Sequence, residues 1–157
     1  MNQSRVSDGS VVITDTSCFI LLEKINALFI LPKLFATILT TPEIAAEFGK
    51  PLPEWVIIRE VNQLLKQKFL RQVDPGEASA IAMASEIFCD YIILDDMAAR
   101  KLAESLGFKV KGTIGILLLA KQKAIIAHLR PYLEIIQQTN FRLSSRLVDQ
   151  FIKEAGE

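Results

Sequence analysis

Three β-branched apolar residues in a row, Val11-Val12-Ile13, run through Thr14 straight into the carboxylate of Asp15, and this junction limits the folds open to the chain. A β-branched run without polar alternation fits a strand buried on both faces, which belongs to a parallel sheet covered by helices. Asp15 then falls at the strand's carboxyl end, and Thr16 or Ser17 can cap the apolar run Cys18 to Leu22 as a helix. In open parallel sheets, ligands occupy the crevice outside the carboxyl ends of the strands. Two readings of Asp15 stand side by side: an acid that only caps a helix, and an acid that holds a ligand.

The junction recurs further along. Tyr91-Ile92-Ile93-Leu94 leads into two adjacent carboxylates, Asp95-Asp96, and a helix is expected over Ala98 to Leu106, stopped by Gly107 as a left-handed cap. Between the two junctions, Ala36 to Thr40 reads as a strand, followed by Thr41-Pro42-Glu43 as a cap with proline in the first helical turn. Asn26 to Phe35 reads as helical pieces broken at Pro32, and Phe48 to Pro53 as a loop. Trp55 to Ile58 is strand-like, and Asn62 to Lys68 a short helix. Asp74-Pro75-Gly76-Glu77 has the form of a capping box that opens a helix through about Phe88, so Glu77 has a purely structural reading as well as a functional one. Phe108-Lys109-Val110 suggests another strand. Gly112-Thr113 opens an apolar helix, Pro131 begins another, and Ser144 caps a last one. Strand and helix thus alternate as in an α/β fold with a parallel, doubly wound sheet. Residues 1–10 read as a flexible, polar lead-in and residues 11–157 as a single domain.

Bulk properties narrow the function. Lys plus Arg and Asp plus Glu each total 18, so no overall basic field advertises a nucleic-acid partner. No apolar run approaches the roughly 20 residues of a membrane span. With no secretory signal in the opening residues, a cytoplasmic protein is expected, with Cys18 and Cys89 as reduced core residues. The mean hydropathy of +0.30 is high for a small domain. The aliphatic excess in Ile114 to Ala120, Ile125 to Leu129 and Leu133 to Ile136 therefore suggests a homodimer that covers it.

Carboxylates at four places, Asp15, Glu43 or Glu47, Glu77, and Asp95 or Asp96, each follow a strand or start a helix, and a parallel sheet would gather them on one rim. Several carboxylates within a few ångströms repel one another, and a hard cation relieves the repulsion. Oxygen ligation suits Mg²⁺ or Mn²⁺ better than zinc, given two cysteines and one histidine, His128. A serine triad and a glycine-rich phosphate loop are both absent from the sequence.

Asp15-Thr16-Ser17 after an apolar strand, Pro42-Glu43-Ile44-Ala45-Ala46-Glu47, Gly76-Glu77-Ala78, Leu94-Asp95-Asp96 with Ala99-Arg100, Gly112-Thr113-Ile114-Gly115, and Phe141-Arg142-Leu143-Ser144 together resemble the PIN-domain family. The closest likeness is to small prokaryotic PIN proteins related to VapC-type toxins. The resemblance implies a three-layer α/β/α fold with about five parallel strands, and a Mg²⁺- or Mn²⁺-dependent endoribonuclease, the toxin of a toxin-antitoxin pair. Carried over by position, the catalytic acids are Asp15, Glu47 rather than Glu43, Glu77 and Asp96. The metal lies at Asp15 and Asp96, with Asp95 as the alternative in the same segment. Thr16 and Ser17 orient Asp15 or a bound water. Relatives often carry another Glu two residues after the third acid, where this chain has Ser79. Arg100, Lys101 and Lys109 are candidates to meet RNA, single-stranded or structured, and a small antitoxin protein and a second copy of the chain are the implied protein partners.

Two other classes compete. A PIN fold can serve as a catalytically idle binding module acting through protein contacts. A haloacid-dehalogenase phosphatase also starts with an acid after a strand, but needs a second Asp where this chain has Ser17.

Overall fold

The structure is a computed structural model that describes residues 10–157. The expected lead-in thus lies, apart from Ser10, outside the described residues. Ser10 already joins the middle of the sheet, its carbonyl accepting from the Ala36 and Thr37 amides at 3.1 and 3.0 Å.

The chain runs β1 (Val11–Thr14), α1 (Thr16–Lys24), α2 (Ile30–Leu34), β2 (Thr37–Thr40), α3 (Pro42–Phe48), β3 (Val56–Ile58) and α4 (Gln63–Phe69). It continues through α5 (Pro75–Glu86), β4 (Tyr91–Ile93), α6 (Met97–Ser105), β5 (Val110–Lys111), α7 (Thr113–Gln122), α8 (Arg130–Gln137) and α9 (Ser145–Glu154). All five strands are parallel, in the order β3-β2-β1-β4-β5, and helices flank the sheet, as a PIN-like α/β/α fold requires.

That order decides where a site can form. From β1 the chain builds outward through β2 to β3, then returns to the other side of β1 for β4 and β5. The direction of winding reverses between β1 and β4, where diverging loops leave a crevice at the carboxyl ends of the strands. Val12, Ile13 and Thr14 lie opposite Tyr91, Ile92 and Ile93, so both acid-bearing junctions leave the sheet side by side. The Asp15 amide bonds to the Ile93 carbonyl at 3.2 Å and ties them together.

Helix α5 explains much of the site's burial. Every residue from Gly76 to Ala84 is buried, and the alternation of Ala, Ser and Gly with only Ile81 and Met83 as large residues lets it lie close against β1, β4 and three helices, α3, α4 and α6. A helix covered on all sides shows no apolar stripe in its sequence.

One expectation needs correction. Pro32 does not break the chain: α2 runs through it, because Pro32 is the third helical residue and the amide it lacks has no intrahelical acceptor. The actual turn is at Asn26, whose φ of 56° is left-handed. The late aliphatic segments are mostly covered by the chain itself. Ile114, Ile116, Leu117, Leu118, Ile126, Leu129, Leu133 and Ile136 are all buried within the chain's own core, α7 lying against α1 and α2. Ile125 is half-buried and Ile135 is 41% exposed, so these segments keep some apolar surface within reach of a second copy. Among the described residues no helix is long and apolar enough to cross a membrane.

Candidate active site

Asp15 stands at the position before α1 with extended backbone (φ −85°, ψ 168°), but its side chain makes no capping hydrogen bond. Neither Thr16 nor Ser17 caps the helix, contrary to expectation; both lie inside its first turn, and their hydroxyls reach other acids. Thr16 Oγ1 donates to Glu47 Oε1 at 2.7 Å, and Ser17 Oγ donates to Asp95 Oδ2 at 2.9 Å. Helix α1 therefore holds two further carboxylates, of which Glu47 acts on Asp15.

Asp15 itself is 5% exposed. Burial is the main force on its carboxyl group; the Thr16 backbone N–H partly opposes it, and Glu77, Asp74 and Glu47 reinforce it, so the pKa rises to about 7. Glu77 behaves alike. It forms the capping box, its amide bonding to Asp74 Oδ1 at 2.8 Å and its Oε1 accepting from the Asp74 amide at 3.3 Å. It is nevertheless buried, and burial first, then Asp74, Asp96 and Glu47, against the lowering effect of the Asp74 backbone, move it to about 7. The structural and functional readings of Glu77 thus coexist: the cap orients a carboxyl group that feels the other acids.

Glu47 and Glu43 separate cleanly. Lys66 Nζ binds Glu43 at 2.8 Å, and Gln63 lies against the same oxygen, which commits Glu43 to α4. Glu47 instead crosses Gly76, where a Cβ would collide with the Glu47 carboxylate. Glycine at this position lets the second acid reach the third.

Asp95 and Asp96 also divide. Asp95 accepts from Ser17 Oγ, from the Thr113 amide at 2.7 Å and from Thr113 Oγ1 at 2.7 Å, and so joins β4 to the starts of α1 and α7. Asp96 caps α6 through Oδ2, which accepts from the Ala99 amide at 3.1 Å, and it is the member of the pair whose charge raises Glu77. Ser79, in place of a further acid, is fully buried between Thr41 Oγ1 and the Gly76 carbonyl, both at 2.7 Å.

Of the basic candidates, Arg100 is near the acids, with Nη1 3.4 Å from the Leu94 carbonyl and filling the space a side chain at Gly112 would need. Lys101 is exposed next to it on α6. Lys109 is misplaced in the expectation: it precedes β5 and lines a hollow with Phe88, Cys89 and Asp90 at the amino ends of the strands, away from the acidic rim. Exposed His128 sits before α8, outside the site. Asp74 and Thr113 are the residues the sequence reading undervalued; the first was only a cap and the second only a helix start. The pairing of Thr113 with Asp95 across 18 positions could have been sought only with the sheet order known.

A buried strand-end acid thus feels acids of α3 and of the start of α5, at the reversal point of a five-stranded parallel sheet. The sequence profile of the PIN domain matches residues 11–157. The chain belongs to the PIN-domain family. No curated protein and no solved structure matches it. PIN domains are generally nucleases that use divalent metal ions. The donors here suit such an ion in kind, being all oxygen, with Asp15 the carboxylate that no side-chain cap bond occupies. They do not form a ready-made cage: among the described residues no three His, Cys, Asp or Glu side chains stand close enough to hold one ion. An ion that keeps several waters and takes only one or two carboxylates directly is the kind this arrangement fits, and Mg²⁺ has that habit.

Proposed function

We propose that this PIN-domain protein is a Mg²⁺- or Mn²⁺-dependent endoribonuclease. The observation that carries the reading is Asp15, buried at the sheet's reversal point, without a capping bond and pushed to a pKa of about 7 by burial and by Glu77, Asp74 and Glu47. Such a costly arrangement of like charges is seldom kept for stability alone. Asp15 and Asp96 would hold the cation, with Glu47 and Glu77 reaching it through water. When bound, the cation would offset charge on the phosphodiester and make water more acidic.

The remaining work falls to the chain. The Glu77 carboxylate, held in place by its capping box, accepts a proton from the attacking water. The water oxygen bonds to phosphorus, the bond to one ester oxygen breaks in line, and that oxygen is protonated from solvent. Thr16 fixes Glu47, while Ser17 and Thr113 fix Asp95 as the strut that sets the start of α6. Asp95 makes so many bonds to protein donors that we assign it this positioning role and give the ligand role to Asp96. Incubating the purified chain with single-stranded RNA and Mn²⁺ tests the reading: cleavage that EDTA stops supports it, and intact RNA under both cations overturns it.

The toxin role and a small antitoxin partner rest on the resemblance to VapC-type proteins, and growth arrest on expression, relieved by the product of an adjoining reading frame, is their test. The second reading, an idle PIN fold that works through protein contacts, draws support from the bonds that already occupy Glu47 and Asp95. It predicts no cleavage with any cation.

A further inference from the structure

Beside the acidic rim lies a second feature that the nuclease chemistry leaves unused. A cleft of about 600 Å³ opens between the start of α6, the start of α7 and the segment that enters α9. Its volume lies within the range of small-ligand pockets. Asp95 forms part of one wall, so the cleft begins where the acidic site ends. That carboxylate is turned to Ser17 and Thr113 and is satisfied there. The rest of the lining combines an apolar floor, including Ile114 and Leu118, with two aromatic rings, Phe141 and Phe151, and two guanidinium groups, Arg100 and Arg142.

Neither arginine pairs with a carboxylate among the described residues. Lys111 also lines the cleft, but its amine lies 4.9 Å from the centre of the Tyr91 ring and is committed there. Phe141 is the hinge of the geometry. It lines the cleft and also a hollow on α1 beside Ser17, the residue that bonds Asp95, so the ring stands between the two hollows. The segment Phe141-Arg142-Leu143-Ser144 was conspicuous in the sequence and has no part in the acid cluster.

We propose that this cleft is a nucleotide subsite that takes one unpaired nucleotide of a single-stranded RNA, next to the phosphodiester held at the acids. The base lies against Phe141 and Phe151, and its phosphate meets Arg100 and Arg142. The proposal rests on the endoribonuclease reading for the neighbouring site, and on its own lining for the subsite. Aromatic faces with cationic groups at the mouth suit an unstacked base and its phosphate, whereas a base locked in a duplex cannot present its face. The subsite also answers how a chain of zero net charge can hold RNA: two arginines with no carboxylate partner among the described residues are placed locally where a general basic field is missing.

The test is fluorescence anisotropy of a labelled single-stranded oligoribonucleotide with the full chain in EDTA, alongside steady-state cleavage with Mn²⁺. Phe141→Ala and, on the exposed side, Arg142→Ala should each weaken binding about 5- to 100-fold, the range of a lost base stack or phosphate contact. Phe141→Tyr, which keeps the ring, should bind like the parent. In cleavage, the Ala variants should raise KM and leave kcat near the parent's. Unchanged binding in both Ala variants overturns the subsite, as does a parent that binds no RNA or prefers a duplex or the DNA of the same sequence. The two readings fail separately: a parent that binds through Phe141 and Arg142 yet cuts nothing keeps the subsite and ends the nuclease reading. A parent that cuts but ignores both substitutions does the reverse.

Discussion

Asp15 and Glu157 are carboxylates with opposite surroundings. At the carboxyl ends of β1 and β4, Asp15 is buried among other acids and its pKa is pushed up to about 7. At the far end of the chain, Glu157 accepts from the Leu129 amide, from the Arg130 amide at 3.1 Å and from Lys121 Nζ at 3.2 Å. Slight burial opposes these bonds, but they prevail and hold its pKa near 2. One region uses a carboxylate to fasten α9 to the start of α8, where backbone amides and the helix dipole favour negative charge. The other brings carboxylates together at a cost to the metal-free fold. Glu157 is surrounded by donors, whereas Asp15 lies buried without a side-chain capping bond.

The largest effect should come from Asp15→Asn. It removes the charge but keeps the shape, so we expect RNA cleavage to fall by roughly 10²–10⁴-fold, the scale of losing a group that acts on the reacting atoms. The thermal midpoint should hold or rise, since a buried repulsion disappears. A variant that unfolds instead would make Asp15 a structural acid like Glu157 and erase the contrast.

Next, Gly76→Ala sets helix propensity against the site. Alanine replacing glycine within a helix ordinarily stabilises by up to about 1 kcal/mol. Here the new Cβ meets the Glu47 carboxylate, so we expect no such gain in urea unfolding, together with a clear loss of cleavage. Thr113→Val removes one donor from Asp95 while leaving the backbone bond, and should cost about 1.5–3 kcal/mol, as for a hydrogen bond to a charged group.

The pH dependence of stability should separate the two regions as well. Asp15 and Glu77 hold protons in the folded state up to about pH 7, whereas unfolded carboxyl groups lose them near 4. Their contribution is therefore present below about pH 4 and is lost as pH rises through 7, so the metal-free protein should lose stability between those values. Glu157 runs the other way: its contribution is present above its ordinary range and vanishes as pH falls toward 2. Thermal melts across this range, with Asp15→Asn and Glu157→Gln as controls, should flatten the first slope and the second respectively. The smallest effect is the stability change of Glu157→Gln at neutral pH, under about 1 kcal/mol for a clasp so near solvent.

The sequence made local facts legible. Val11 to Ile13 and Tyr91 to Ile93 announced buried strands, and Thr41, Asp74, Ser144 and Gly107 marked helix ends where the structure has them. Facts that depend on sheet order were harder to read. Ser17 and Asp95 are 78 positions apart, and only the adjacency of β1 and β4 brings them together. Lys109 and Lys111 flank and end a two-residue strand too short for its direction to be apparent, yet the first lies at the amino rim and the second at the carboxyl rim.

The measurement that bears most directly on the central claim is calorimetric titration of Mn²⁺ into the full chain at neutral pH, with the parent and Asp15→Asn side by side. The account predicts saturable binding by the parent that Asp15→Asn loses. A parent that binds no Mn²⁺, or a variant that binds it equally well, would contradict the claim that these acids are gathered to hold a cation.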